Sequence, residues 1–223
     1  MACGSILERP SRGRGIGTII LGGLIALLAG CLFNEDREAR GSIVENEIVG
    51  FITTADGAPS IGARVQLYPA DSADGPQLIA ISEVITDTKG EYRFSKIKSG
   101  VYSLIGQHDT LLAFHDSIEV NAMTGAPNNV QILQPDTLRA TGAISVRIIL
   151  RPGDDPTSIS GEVLGTGFGA HAQGTGDLSM FGMPAGRLRI RFKSSLAGYK
   201  PLDIAVDVAP GKTSRAGPLV LPY

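Results

Sequence analysis

The sequence has few of the residues on which disulfide-rich, nucleic-acid-binding or sugar-stacking proteins depend. Its two cysteines in 223 residues, Cys3 and Cys31, lie close to the N-terminus, so the long remainder must draw its stability from apolar cores. It has no tryptophan, five tyrosines and seven phenylalanines, which leaves few rings for stacking on a sugar. A net charge of −2 provides no positive field for nucleic acid, so we expect no nucleic-acid partner.

Long apolar runs are also scarce, and the main one lies near the N-terminus. Residues 16–30 carry no charge, and Arg9, Arg12 and Arg14 precede them. A membrane-spanning helix needs about 20 apolar residues, whereas this run has roughly 15 and is followed at once by charged residues. This layout predicts a secretory signal peptide rather than a retained anchor.

Leu28, Ala29, Gly30 and Cys31, which end this run, resemble the lipobox of bacterial lipoproteins. The resemblance implies a signal peptide over residues 1–30 and a mature N-terminus at Cys31, which carries diacylglyceryl on its sulfur and usually a third acyl chain on its nitrogen. Two or more acyl chains anchor stably, since each buried methylene contributes about 0.8 kcal/mol. Leu32 in the next position points, by the sorting rule of enteric bacteria, to the outer membrane. The alternative is an ordinary secretory signal with an incidental cysteine.

The rest of the chain divides into a tether and an all-β body. Residues 31–46 are charged and lack an apolar period, which predicts a flexible tether. From Ile48 onward, apolar and polar residues alternate in short runs separated by Gly, Pro and Asp, and no long stretch has a helical period. The pattern predicts strands at 48–53, 64–68, 78–86, 91–95, 101–107, 117–120 and 130–133, and then at 143–150, 159–164, 169–173, 178–181, 188–193, 202–208 and 218–221.

An internal repeat appears when Gly90 is aligned with Gly176, at a separation of 86 positions. Without a gap, the alignment matches Tyr92 with Leu178, Phe94 with Met180, Ile97 with Met183, Gly100 with Gly186, Tyr102 with Leu188 and Leu104 with Ile190. Further on, Ile118, Val120 and Gly125 correspond loosely to Val206, Val208 and Gly211. The spacing predicts a hairpin in which the apolar residues of both strands face one side.

These residues resemble the carboxypeptidase regulatory-like domain. The similar segments are TDTKGEYRF from 86 to 94, IKSGVYSL from 97 to 104 and GARVQL from 62 to 67, with MPAGRLRI from 183 to 190 and VAPG from 208 to 211 in the second copy. The resemblance implies two tandem seven-stranded transthyretin-like (prealbumin-like, Ig-like Greek-key) β-sandwiches, at residues 47–139 and, in divergent form, 140–223. It implies a folded module and no particular reaction, because such domains accompany zinc carboxypeptidases, outer-membrane transporters and surface lipoproteins.

Three groups of residues suggest binding chemistry. His108, Asp109, His115 and Asp116 could gather a metal if their loop folds back, or could form a polar connection between two strands. No histidine stands in a zinc-peptidase motif. Asp154 and Asp155 suggest either a calcium site or a turn, and too few carboxylates lie nearby for calcium. The glycine run lacks the lysine of a P-loop and favours bulges and tight turns; it comprises Gly165, Gly167, Gly169, Gly174 and Gly176.

The sequence therefore predicts a noncatalytic protein without a metal or cofactor. We expect a lipid-anchored lipoprotein of the cell envelope that serves as a structural or interaction module, with the membrane as a partner through Cys31 and an envelope protein or glycan as a second partner. The alternative is a glycan- or peptide-binding accessory protein of a surface adhesion or uptake complex. Its candidate surface aromatics, which are equally compatible with half-buried packing, are Tyr68, Phe168, Tyr199 and Tyr223.

Overall fold

The computed structural model describes residues 45–72, 78–121 and 128–223, in which β-strands are the main regular structure. A short 3-10 turn at Pro156–Ser158 interrupts them. The strands are β1 Glu45–Thr53, β2 Arg64–Pro69, β3 Ser82–Ile85, β4 Glu91–Ile97, β5 Gly100–His108, β6 Leu111–Val120, β7 Asn128–Ile132, β8 Asp136–Thr137, β9 Arg139–Ala140, β10 Gly142–Ile149, β11 Ile159–Val163, β12 Gly169–His171, β13 Asp177–Met183, β14 Gly186–Ser194, β15 Leu202–Val208 and β16 Thr213–Val220. The predicted all-β fold is confirmed.

The N-terminal half, β1 to β9, forms two sheets. In the first, β1 lies between antiparallel β4 and parallel β7, and β8 also pairs with β1. The second has the order β3-β2-β5-β6-β9. Because side chains alternate between the faces of a strand, each sheet offers one apolar face to a shared core. That core contains Ile48, Ile52, Val65, Leu67, Tyr92, Phe94, Tyr102, Leu104, Ile118 and Leu138.

The C-terminal half, β10 to β16, has the same strand order. One sheet is β13-β10-β16, with β13 antiparallel and β16 parallel to the central strand, and the other is β12-β11-β14-β15. Its core contains Ile144, Val146, Ile148, Leu178, Met180, Leu188, Ile190, Phe192, Val206 and Val208. The topology of β1 to β7 thus recurs strand for strand in β10 to β16.

The aligned residues of the sequence repeat occupy matching positions in these halves. Gly90 and Gly176 both have positive φ angles, of 71° and 81°. The carbonyl of Gly90 accepts from the Ile52 amide and that of Gly176 from the Ile148 amide, each at 2.9 Å. A Cβ on either glycine would meet the carbonyl oxygen of that same isoleucine, so both turns require glycine.

The predicted hairpin, however, is wrong. The residues Tyr92, Phe94, Tyr102 and Leu104 do face one core, but β4 pairs with β1 while β5 pairs with β2 and β6 in the opposite sheet. The chain crosses from sheet to sheet between Ile97 and Gly100. Two strands that face each other across a core give the same alternation of apolar residues as two paired strands, so the pattern could not separate the two arrangements.

The two cores exchange large and small residues at matching cross-strand pairs. Gly50 pairs with Tyr92, where the second half has Val146 paired with Leu178. In the other sheets, the glycine paired with a large ring is in the second half. There Gly161 pairs with Phe192, whereas in the first half Val65 pairs with Gly106. Gly50 and Gly161 each lie under the ring of their partner: a Cβ on Gly50 would fall on the Tyr92 ring, and one on Gly161 would lie 2.8 Å from Phe192 Cε1.

Several predicted boundaries move. β1 begins at Glu45, so the last two residues of the predicted tether belong to the sheet. Asn46 is buried, and its side-chain amide donates to the Ile97 carbonyl at 2.9 Å. β6 begins at Leu111, six residues before its predicted start, and β3 is restricted to Ser82–Ile85. Gly125 of the repeat lies outside the described residues. The predicted division at residues 139 and 140 falls within β9, which pairs with β6; the division into two domains stays a prediction.

Candidate functional site at the junction of the two halves

The predicted lipid attachment site, Cys31, and its neighbours Leu28, Ala29 and Gly30 lie outside the described residues. The predicted signal peptide and most of the tether lie outside them as well. Within residues 45–72, 78–121 and 128–223, no helix is long and apolar enough to cross a membrane.

The four residues considered for a metal do not form one loop. Only Asp109 and Thr110 turn between β5 and β6, and His115 and Asp116 lie within β6. Across the described ranges, no group of three or more His, Cys, Asp or Glu side chains is arranged to hold a metal ion. The predicted polar connection between two strands is therefore restricted to the turn at Asp109 and Thr110. His115 and Asp116 lie in β6 and bind the partners described below.

A β-bulge directs these two side chains to opposite faces of the sheet. In the pairing of β5 with β6, Tyr102 lies opposite Ile118 and Leu104 opposite His115, so Ser103 faces two residues instead of one. Ser117, beside Asp116, has a φ of 59°. His115 consequently shares the inward side with Leu104, and Asp116 points out of the N-terminal half.

Asp116 meets Arg189 of β14, and this pair is the centre of the junction between the halves. Arg189 Nε donates to Asp116 Oδ2 at 3.0 Å, and Nη2 donates to Asp116 Oδ1 at 3.3 Å. The same guanidinium donates to Asp71 Oδ1 and to the Ala70 carbonyl, each at 3.1 Å. Ser103 Oγ donates to Asp116 Oδ1 at 2.9 Å. One arginine of the C-terminal half thus binds three groups of the N-terminal half.

The charges at this centre are held in their ionised forms. Burial by itself would raise the pKa of Asp116, but the hydrogen bonds from Arg189 and Ser103 outweigh it and hold that pKa below its ordinary value. The hydrogen bond to Asp116 raises the pKa of Arg189. A planar guanidinium that binds both oxygens of a carboxylate fixes orientation as well as distance, so this contact defines how the halves meet.

The loop between β11 and β12 forms the second part of the junction. Gly165 has a φ of 69°, and its amide donates to the Ser72 carbonyl at 3.1 Å. A Cβ at Gly165 would fall on Ser103 Oγ and lie 3.0 Å from Ala70 Cα. The first residue of the glycine run is therefore a contact point between the halves, whereas Gly176 forms the turn described above.

An apolar cluster completes the junction. Tyr68, Ile105 and Leu112 are buried on the outer face of the second sheet. Phe114 and Phe168 pack against both this cluster and the C-terminal core, so they bridge the halves. By their contacts, the described residues from 45 to 223 belong to one compact unit.

His115 links the two sheets of the N-terminal half. Its Nδ1 lies 3.1 Å from Asp136 Oδ1 in β8, on the strand that follows β7. This hydrogen bond raises the pKa of His115, and burial partly opposes it. The histidine thus fixes the segment that leads from one half to the other.

The remaining candidates have local partners. Asp155 caps the 3-10 turn, accepting from the Thr157 amide at 2.9 Å, and Asp154 accepts from the Tyr199 hydroxyl at 2.6 Å, so both belong to a turn as predicted. Tyr223 is 52% exposed, but Arg151 stacks at 3.0 Å from its ring centre and Tyr199 meets it edge-on. Tyr68 and Phe168 belong to the apolar cluster, so the four aromatics do not form a platform.

The described surface also has a cleft at the open end of the N-terminal core. It encloses about 480 Å³ between the ends of β2, β4 and β5, and Ile81, Val101 and Tyr102 line it together with Lys96 and Lys98.

Sequence reasoning missed Arg189, Asp71 and Ser103. Arg187, Arg189 and Arg191 alternate along β14 and therefore share one face. That alternation signals an acidic counterpart, but the partner Asp116 lies 73 positions away, and nothing local to either residue identifies the pair.

Comparisons with known proteins give similarity of fold only. No protein-family model and no curated protein matches the sequence. Among solved structures, the chain is similar to the Bacillus anthracis TIE protein, with 13% identity, a TM-score of 0.32 and coverage of 81% of this chain and 35% of that one. It is similar to GBS52, the minor pilin of Streptococcus agalactiae, with 15% identity, a TM-score of 0.37 and coverage of 81% and 96%. A third is BcpA, the major pilin subunit of Bacillus cereus, with 8% identity, a TM-score of 0.30 and coverage of 80% and 99%.

Proposed function

We propose that the protein is a lipid-anchored lipoprotein of the cell envelope whose β-rich body is a noncatalytic structural or interaction module. The membrane is its partner through acyl chains on Cys31, and Leu32 favours the outer membrane. The lipobox-like residues Leu28 to Cys31 support the anchor, and the junction between the halves supports the structural role.

The observation that carries the structural role is the position of Arg189. Its guanidinium joins Asp116, Asp71 and the Ala70 carbonyl across the junction, within 3.0 to 3.3 Å. Flexibly linked domains usually meet through few contacts, whereas this junction combines a bidentate ion pair, a backbone hydrogen bond and a bridging apolar cluster. A body fixed in this way presents its two halves to a partner in one arrangement, as a docking module requires.

Fatty-acid labelling tests the anchor. Cells that express the full chain would be grown with an alkyne-bearing fatty acid, and the purified protein would be assayed for label. We expect label on the wild type and on Cys3→Ser, which removes the other thiol, and none on Cys31→Ser. Equal labelling of Cys31→Ser would refute the proposed anchor.

A further inference from the structure

The cleft at the open end of the N-terminal core combines positive charge with apolar side chains. Lys96 and Lys98 line it and are exposed. Ile81 and Val101, which line it too, are 51% and 41% exposed. Among the described residues that line the cleft, none is acidic, and Glu119, the strand partner of Val101, lies outside it. A surface of this kind complements a ligand that carries negative charge next to apolar groups.

Lys96 occupies a backbone conformation that favours glycine. Its φ angle is 62°, in the left-handed region that few residues with a side chain adopt. The sequence repeat aligns it with Gly182, whose φ is 69°, and aligns Lys98 with Pro184. The second half therefore has this conformation without either lysine. A lysine at a position where glycine would fit better indicates that the side chain serves a function other than folding.

The backbone that carries Lys98 is held in place by the core. The Tyr102 hydroxyl donates to the Lys98 carbonyl at 2.7 Å, and Tyr102 is buried. Gly100 lies against the same ring, since a Cβ there would be 3.2 Å from the Tyr102 hydroxyl oxygen. The cleft is therefore preformed, and a ligand meets Lys98 at its rim without a rearrangement of the strands.

The chain enters the described body beside this cleft. Asn46 of β1 pairs with Ile97 of β4, and Ile97 lies between the two lysines and lines the cleft as well. Fourteen residue steps separate Glu45 from Cys31, and a chain of that length reaches at most about 50 Å. An acyl group on Cys31 would therefore keep the cleft within reach of the bilayer surface. This position favours the membrane over a peptide as the ligand, because a peptide could bind at any distance from the anchor.

We propose that the cleft binds the anionic headgroups of the membrane that holds the chain, an inference that rests on the proposed acylation of Cys31. Lys96 and Lys98 attract the negative headgroups, and Ile81 and Val101 reach the boundary between the headgroups and the acyl chains. Because the acyl anchor keeps the cleft at a high local concentration of lipid, a weak contact suffices. The contact holds one end of the body against the bilayer, beside the residues that lead to the anchor.

Quenching by a labelled lipid tests the contact. The full chain would be produced in cells so that Cys31 is acylated, in a Cys3→Ser background, and Val101→Cys would carry a fluorophore. Ile61→Cys is the matched control, because Ile61 is 57% exposed and follows Ser60, whose amide donates to the Ile52 carbonyl near the opposite end of β1. The vesicles would contain phosphatidylcholine, about 30% phosphatidylglycerol and a nitroxide-bearing lipid. We expect quenching at least about twofold stronger at position 101 than at position 61.

Charge variants test whether the lysines make the contact. Lys98→Glu should reduce quenching at position 101 by about half or more, and so should Lys96→Gly, which copies Gly182. Lys89→Glu, in the turn before the opposite end of β4, should leave the quenching unchanged. Vesicles of phosphatidylcholine alone should have the same effect as Lys98→Glu. Circular dichroism verifies that each variant is folded.

Flotation of the protein with the vesicles separates this inference from the anchor. A protein that does not float would refute the acyl anchor and this inference with it. A floating protein with equal quenching at positions 101 and 61, or with quenching that neither lysine substitution changes, would overturn the inference and leave the anchor intact. A probe at position 101 that is shielded from aqueous iodide but not quenched by the nitroxide lipid would indicate a protein ligand, and would overturn the inference as well.

Discussion

Gly50 and Tyr92 provide the sharpest test of the repeated core. Gly50→Val should be strongly destabilising, because the new Cβ would fall on the Tyr92 ring, which is 1% exposed and cannot move aside without leaving the core. Overpacking of this kind costs about 1 to 3 kcal/mol. Tyr92→Leu alone should cost a similar amount, about 2 kcal/mol, through lost burial and a residual cavity.

The double variant Gly50→Val, Tyr92→Leu recreates the pair Val146 and Leu178 of the second half. We therefore expect it to be more stable than the Gly50→Val variant, with a favourable coupling of about 1 to 3 kcal/mol between the two sites. The assay is urea unfolding of residues 45–223, which retain all of β1, followed by far-ultraviolet circular dichroism because the chain has no tryptophan. Additive losses in the double variant would refute the structural equivalence of the two pairs.

Two further predictions concern pH and strand orientation. The raised pKa of His115 means that its bond to Asp136 stabilises the fold fully below the unfolded pKa of about 6.5 and is lost as pH rises through the folded value. The free energy of unfolding should therefore fall as the pH rises above about 6.5, and His115→Gln should flatten that slope; an unchanged slope would exclude His115 as its source. Phe94→Ala should cost about 3 to 5 kcal/mol, whereas Arg93→Ala, which points outward, should remain close to wild type; equal losses on urea unfolding would contradict the register.

The sequence predicted those parts of the fold that depend on local alternation. The inward positions of Tyr92, Phe94 and Met180 follow from a period of two, and the turns at Gly90 and Gly176 follow from a requirement for glycine. The sequence alignment could not match Gly50 with Val146, where a small residue replaces a larger one. It uses a separation of 86 positions, which matches β4 with β13, whereas β1 and β10 are separated by 96 positions.

The junction could not be predicted, because it depends on distant partners. β6 begins with four apolar residues, Leu111 to Phe114, and continues through His115 and Asp116, so it lacks the alternation by which the sequence indicates a strand. Their strand is stable because a bulge in β6 opposite Ser103 sends one side chain to Asp136 and the other to Arg189. A single sequence carries no signal for a bulge that is defined by the opposite strand.

Differential scanning calorimetry of residues 45–223 tests most directly whether the junction makes the two halves one body. We predict a single transition whose calorimetric and van't Hoff enthalpies agree. Arg189→Met, which leaves Asp116 without its main partner, should lower the midpoint and separate the transition into two. Two independent transitions in the wild type, one shifted only by Phe94→Ala and the other only by Met180→Ala, would contradict a junction that fixes the halves together.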